Sequence, residues 1–250
     1  MRTTASSRSR RIRHEATRVE ILEAAAQAIA EHGYHGMTMR GLARATGRAL
    51  ANFYNYFTSK EDLLFAIQAG AFETLNTTVE AALAGVDDPV ARLYVFILHH
   101  LRYVAGHQSV MRTLVHEAAA LPAGRRRAVR VLKERYFHTA RTIVGTVVLD
   151  GCQRDGALGA PQTDDAEIDR ATYSLFGMLN WSYGWYDPER HGTASDVART
   201  MHSIALCGLV THCPHRAIQK TTERYLAAIV SPPLLGTTHP TDTTPRKGAR

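Results

Sequence analysis

Cysteine is scarce. Only Cys152, Cys207 and Cys213 occur in 250 residues. They are too few and too scattered for a disulfide framework, so the chain reads as one that keeps its thiols reduced in the cytoplasm. Long apolar runs are missing as well. Nothing approaches the roughly 18 residues needed to cross a bilayer, so no membrane span is expected. The opening stretch MRTTASSRSRRIRHEATR has charge but no apolar segment, and it is not read as a secretory signal. Catalytic signatures are also absent: there is no GxSxG elbow, HExxH, phosphate-binding P-loop or CxxC. Of the thirteen histidines, only those at 212 and 215 form a tight cluster, around Cys213. Their spacing fits no familiar zinc pattern. No enzyme, cofactor or metal site is therefore assigned, and no internal repeat is visible.

What the chain does have is basic charge, unevenly spread. The formal net charge is +7. Residues 1–60 hold ten Lys or Arg against four acids, so six of the seven excess charges lie there. That asymmetry is the footprint of a polyanion partner. Arg8, Arg10, Arg11 and Arg13 lie in a Ser/Arg stretch with little apolar content. Residues 1–14 are read as a flexible basic arm, either tracking phosphates and a minor groove or simply solvated.

Residues 38–60, TMRGLARATGRALANFYNYFTSK, organise the rest. Thr38 suits an N-cap, and Met39, Leu42 and Ala43 share one helical face. Gly47 ends that helix where positive φ is needed. A second short helix, about 49–56, sets Leu50, Phe53 and Phe57 inward. Arg48, Ala51, Asn52, Tyr54, Asn55 and Tyr56 remain for an outer face suited to a groove. This is helix-turn-helix geometry. Thr58 and Glu61 are read as a capping box opening the next helix, with Lys60 close to a phosphate. Thr38, Tyr54, Asn55, Tyr56 and Lys60 are the expected phosphate contacts. Arg40, Arg48, Leu50, Ala51 and Asn52 are the candidates for base edges, the two arginines pairing with guanine.

With ILEAAAQAIAEHGYHGMTMRGLARATG before it and NFYNYFTSKEDLL at its end, the run 18–72 resembles the DNA-binding domain of TetR-type transcriptional regulators. Ala49 stands where that family often has Ser or Thr, and Ala51 where it often has Gly or Pro. The resemblance implies an all-α protein with a three-helix helix-turn-helix domain over 15–60. A helical ligand-binding and dimerisation domain follows over 61–213. The implied partners are a double-stranded operator, a second copy of the chain and a small-molecule effector.

Helical periodicity continues to residue 209 and beyond. The first helix, about 15–32, carries Val19, Leu22, Ala26 and Ile29 on a stripe ended by Gly33. Leu64, Ile67, Ala71, Leu75 and Val79 line a helix reaching about 84. Asp88 and Pro89 open another as cap and first residue, with Val90, Leu93, Tyr94, Ile97, Leu101 and Val104 inward. A short helix over about 108–120 precedes Leu121-Pro122. A long one carries Val131, Leu132, Tyr136, Ala140, Ile143, Val144 and Val147 to about 153. Asp164 or Asp165 caps the next, DAEIDRATYSLFGMLNW, apolar most of the way round and so buried on more than one side. Thr193 with Asp196 caps the last stripe, Val197 to Leu209. Two such helices suggest a pair that meets its own copy, with Leu175, Leu179, Met201 and Ile204 as interface residues. Residues 214–250 read as one further helix and a disordered Thr/Pro/Gly tail.

FGMLNWSYGWYDP resembles the C-terminal domain of TetR-type regulators of fatty-acid, sterol or aromatic-acid breakdown, several of which answer to acyl-CoA thioesters. The expectation is a repressor released from a palindromic operator by such a compound. Leu101, Val104, Met111, Tyr136, Phe176, Met178 and Trp181 would form its apolar slot. Arg102, Arg141 or Arg125–Arg130 would meet the phosphates. Two alternatives stay open: a multidrug-type regulator answering to a lipophilic compound, and a metal- or thiol-responsive one using Cys207, His212 and Cys213.

Overall fold

The computed structural model describes residues 3–154 and 164–209, and among them every regular element is helical. Helix α1 spans Thr3–Gly36, with its path broken at Gly33, where φ is +72°. The Ser/Arg stretch expected as a flexible arm continues α1 instead. No Gly or Pro interrupts residues 3–14, and Arg is a good helix former. Arg8, Arg10, Arg11 and Arg13 are exposed along it. The buried face is Ile21, Ala25, Ala26 and Ile29, while Val19 is 45% exposed. The inward stripe is therefore rotated away from Val19.

Helix α2, Met39–Ala45, starts at Thr38, whose hydroxyl accepts from Gly41 N at 3.0 Å. Gly47, at φ +65°, reverses the chain. Helix α3 is only Leu50–Tyr54, shorter than the sequence pattern suggests, with Asn55 and Tyr56 in the turn that follows. Helix α4 spans Lys60–Leu83 and its cap is Ser59, one residue later than expected. Ser59 Oγ accepts from Asp62 N at 3.1 Å, and the Asp62 carboxylate folds back onto the Thr58 amide and hydroxyl. Glu61 is drawn away to Arg125 at 3.3 Å.

Helix α5, Pro89–Gly106, opens at Asp88, which accepts from Ala91 N at 2.7 Å. Helices α6 (Gln108–His116) and α7 (Ala123–Arg154) follow. Helix α8, Asp165–Trp181, is capped by Asp164. A 3-10 turn at Ser182–Gly184 and the short α9, Pro188–His191, lead to α10, Ala194–Leu209. Before α10, Thr193 and Asp196 bond reciprocally, with the Thr193 amide 2.9 Å from Asp196 Oδ2 and the Asp196 amide 3.3 Å from Thr193 Oγ1.

Two apolar cores share α4. One gathers Ile21, Ile29, Leu42, Phe53, Leu63 and Ile67, and is completed by Leu121 from the loop between α6 and α7 and by Val129 of α7. The other joins Leu75 and Val79 to Phe96, Tyr136, Leu175 and Met201. Phe72 packs against both. At 24 residues, α4 is about 36 Å long at about 1.5 Å per residue, long enough to run through both.

Leu175 and Leu179, read from sequence as interface residues, are 3% and 0% exposed inside this protomer's own core, and Met201 is 7% exposed. Only Ile204 of the four faces outward, at 56%. An apolar pattern on all sides of α8 shows that two faces must be covered. It does not show which face the protomer covers itself.

Candidate functional site

The outer surface of α2 and α3 leaves Thr38, Arg40, Arg44, Ala51, Asn52, Tyr54 and Asn55 exposed. Arg40 and Arg44 stand one turn apart on α2 and border a shallow depression with Arg48. Arg48 is half-buried and paired with Glu20 of α1. Leu50 is half-buried, packing against the core while also bordering that depression. Tyr56 is also half-buried and stacks on His14 with ring centroids 4.4 Å apart.

Lys60 does not stand free for a phosphate. Its Nζ donates to the carbonyls of Tyr34 at 3.1 Å, His35 at 3.3 Å and Met37 at 3.3 Å, and lies 4.5 Å from the Tyr34 ring centroid. These carbonyls belong to the helix end beyond Gly33, where such groups lack intrahelical partners. A cation there also meets the negative end of the helix dipole. Lys60 therefore fastens α4 to the end of α1.

A second tie comes from the other side. Tyr34 N donates to Glu117 Oε1 at 2.9 Å, and Gln68 Nε2 donates to Glu117 O at 2.9 Å. Glu117 directly follows α6, so the end of that helix is bonded to both α1 and α4. Arg125 at the start of α7 pairs with Glu61 and Asp62 and lies over Phe65. Asp62 is held below the usual carboxylate range, first by the Thr58 hydroxyl and then, against the cost of burial, by Arg125.

Beneath this junction lies a cavity of about 260 Å³. It is walled by Phe72 and Leu75 of α4, His100 of α5, Met111, Leu114 and Val115 of α6, Lys133, Tyr136 and Phe137 of α7, and Tyr173, Phe176 and Asn180 of α8. Of the expected slot, Met111, Tyr136 and Phe176 line it. Leu101 and Val104 are buried in the core away from it, and Met178 and Trp181 open onto the opposite face of α8. None of the expected phosphate cations borders the cavity. Arg102 is exposed on α5, Arg141 pairs with Asp165 and Asp169, Arg130 pairs with Glu134, and Arg125 belongs to the junction. The cation at the wall is Lys133, exposed one turn before Phe137.

Residues 21–67 match the family model of bacterial regulatory proteins, tetR family, and residues 86–209 match that of the tetracyclin repressor-like C-terminal domain. The crystal structure of the TetR family transcriptional regulator PfmR from Thermus thermophilus is 30% identical, with a TM-score of 0.61 over 74% of this chain and 96% of PfmR. The chain belongs to the TetR family of transcriptional regulators. Its TetR-family relatives include the HTH-type transcriptional repressor KstR2 of Rhodococcus jostii, 27% identical over 198 residues, 79% of this chain and 92% of KstR2. AibR, solved in complex with isovaleryl coenzyme A and operator DNA, is 26% identical, with a TM-score of 0.62 over 75% of this chain and 96% of AibR.

The TetR-family body carries a second apolar feature, on its outer side. Trp181 is 62% exposed, Trp185 40% and Ile204 56%. With Met178, Gly177 and Thr200 they line a groove between α8 and α10. Sequence reasoning missed His100, Lys133 and Arg44. The signal for His100 was present: residues 93, 96, 97, 100, 101 and 104 form one helical face, and a lone imidazole sits on it. Among the described residues no group of three His, Cys, Asp or Glu is placed to hold a metal, and Cys207 is exposed. His212, Cys213 and His215 lie outside the described residues, as does the expected segment 214–250. Among the described residues no helix is long and apolar enough to cross a membrane.

Proposed function

We propose that this TetR-family chain is a repressor that binds a palindromic operator as a homodimer and leaves it when a CoA thioester enters the cavity. The observation that carries the reading is the double engagement of α6. Met111, Leu114 and Val115 wall the cavity, and Glu117, just past the helix end, holds the Tyr34 amide of the DNA-binding end. An occupant that displaces α6 must move that bond. A ligand indifferent to the position of α6 would shift nothing. AibR, solved in complex with both isovaleryl coenzyme A and operator DNA, supports a CoA thioester and an operator as the two ligands of such a fold. The exposed Lys133 supplies a cation for the phosphate-bearing part.

On the DNA side, residues 15–60 read the operator. Arg40, Arg44, Ala51 and Asn52 approach base edges, and Thr38, Tyr54 and Asn55 approach phosphates, because these side chains are exposed on one surface. Arg48 and Tyr56 hold α3 against α1, through Glu20 and His14. The groove edged by Trp181, Trp185 and Ile204 seats the second copy, which brings the second recognition helix that two half-sites require. The chain acts by binding alone, in the cytoplasm where its operator lies.

A thermal-shift panel of CoA thioesters, free acids and lipophilic cations, followed by operator release in fluorescence anisotropy, tests this reading. A thioester that raises the melting point and weakens operator binding supports it. If only cations do both, the multidrug reading replaces it. If release follows oxidation alone, the exposed Cys207 and the thiol reading take over.

A further inference from the structure

One polar group at the cavity wall is not accounted for by packing. His100 is 2% exposed, and its Nδ1 lies 3.2 Å from the Tyr136 hydroxyl. Its Nε2 meets no hydrogen-bonding group among the described residues. The other inward residues of α5, among them Leu93, Phe96, Ile97 and Leu101, are apolar, and a leucine at 100 would continue that face. Burial, aided by the neighbouring His99, pushes the imidazole down to about 3, so the ring is neutral and carries one proton. Burial also pushes the Tyr136 hydroxyl well above its ordinary value.

Hydrogen-bond accounting locates the ring proton. If Nδ1 carried it and donated to Tyr136, both the Tyr136 O–H and the Nε2 lone pair would be left over. If Tyr136 donates to Nδ1, only Nε2–H is left. The second arrangement strands fewer buried groups and leaves one N–H donor on a ring that lines the cavity. The space is limited too: about 260 Å³ is below the roughly 300–1,000 Å³ of pockets that hold drug-sized ligands, so it suits a small ligand head.

We propose that His100 is the specificity-determining residue of the effector cavity, donating from Nε2 to the carbonyl oxygen of a small uncharged ligand head. The proposal rests on the reading of the cavity as the effector site. It adds that the buried end of the effector is a neutral acceptor, which in a CoA thioester is the thioester carbonyl. A hydrocarbon head leaves Nε2–H unpaired, and sites built to bond a polar group reject analogues that lack it. A free carboxylate would bring an ion to the buried His100 end, whereas the lining cation, Lys133, is itself exposed.

The test uses full-length protein ¹⁵N-labelled at histidine, titrated with acetophenone, ethylbenzene and benzoate. These probes are close in size and differ in the polar group. Acetophenone is expected to bind about tenfold more tightly than ethylbenzene, to exceed benzoate, and to move the Nε2 resonance of His100. In His100→Leu the advantage of the ketone over the hydrocarbon should vanish. In His100→Gln, which keeps an N–H donor, part of it should return, with operator binding showing that both variants fold. Equal affinity for ketone and hydrocarbon, tightest binding of benzoate, a ketone preference that survives His100→Leu, or no binding at millimolar concentration each overturns the proposal. Isovaleryl-CoA is titrated in parallel. If it releases operator equally from wild type and His100→Leu, the effector reading stands and the role of His100 falls. If the ketone behaves as expected and no CoA thioester acts, the thioester falls and His100 stands.

Discussion

Replacing Glu117 by Ala should cost stability and communication together. The carboxylate accepts the Tyr34 amide at 2.9 Å just past the break at Gly33, and Tyr34 is 7% exposed. Hydrogen bonds to charged groups contribute about 1.5–3 kcal/mol. Glu117 is itself only half-buried, and water shares its charge, so a net loss of about 1–2 kcal/mol is reasonable. For a chain of this size each kcal/mol moves the midpoint by about 2–4 °C. The melting point should therefore fall by about 2–8 °C. The larger effect concerns function. Coupling between an effector site and a DNA site is typically about 1–3 kcal/mol, a change of about 5- to 150-fold in affinity. If the end of α6 carries that coupling, the ratio of operator Kd with and without effector should shrink by at least about fivefold in Glu117→Ala. Glu117→Gln, which keeps an acceptor oxygen, should lie between the variant and wild type. Differential scanning fluorimetry and operator anisotropy with and without isovaleryl-CoA give both numbers. A Glu117→Ala protein with a wild-type melting point and a wild-type effector ratio would refute the reasoning.

Ile204→Asp places a charge on an outward face, whereas Leu179→Asp places one in a sealed core. Sedimentation should show the first as a helical monomer and circular dichroism the second as unfolded; an unchanged dimer for Ile204→Asp would remove the groove from the interface. Lys60→Met takes a cation from three carbonyls, so it should lower the melting point while leaving the slope of log affinity against log salt unchanged. A slope smaller by about one unit would instead return Lys60 to a phosphate. Asp62→Asn tests acid stability. The folded pKa of Asp62 is depressed, so its contribution is present above the unfolded value, about 3.9, and is lost as pH falls through the folded one. The melting-point gap between variant and wild type should be wide at neutral pH and close under acid; a gap independent of pH contradicts the assignment.

Much of this was legible in the residues because local chemistry fixes it. Thr38, Asp88 with Pro89, and Thr193 with Asp196 each do what their side chains do at helix ends anywhere, and Gly47 takes the positive φ that a glycine adopts without strain. The helix-turn-helix is readable for the same reason, and so is the alternation of long helices that follows. What periodicity cannot supply is the destination of a face. Leu175 and Leu179 lie on a stripe that fits a core or a partner equally well, and only the packing of α5, α7 and α10 against it decides. Charge partners are equally hidden. Lys60, Arg125 and Arg141 read as free cations because their partners are carbonyls or acids many residues away. The capping box slipped by one residue because Ser59 and Asp62 cap the helix in place of Thr58 and Glu61, two pairs that the residues alone offer equally.

The shared core at the DNA-binding end bears on how such a chain can be rearranged. Leu121 and Val129 close the cluster around Phe53 and Leu64, so a cut at residue 60 passes through packed side chains. The first 60 residues are therefore not a portable module. A fragment ending there leaves Ile21, Ile29 and Phe53 open to water and should aggregate or stay unfolded. A hybrid that grafts this reading head onto another regulator's body should fold only if α4 and the loop carrying Leu121 travel with it. Any change of operator preference must then come from point substitutions on the exposed faces of α2 and α3, since the head cannot be exchanged whole.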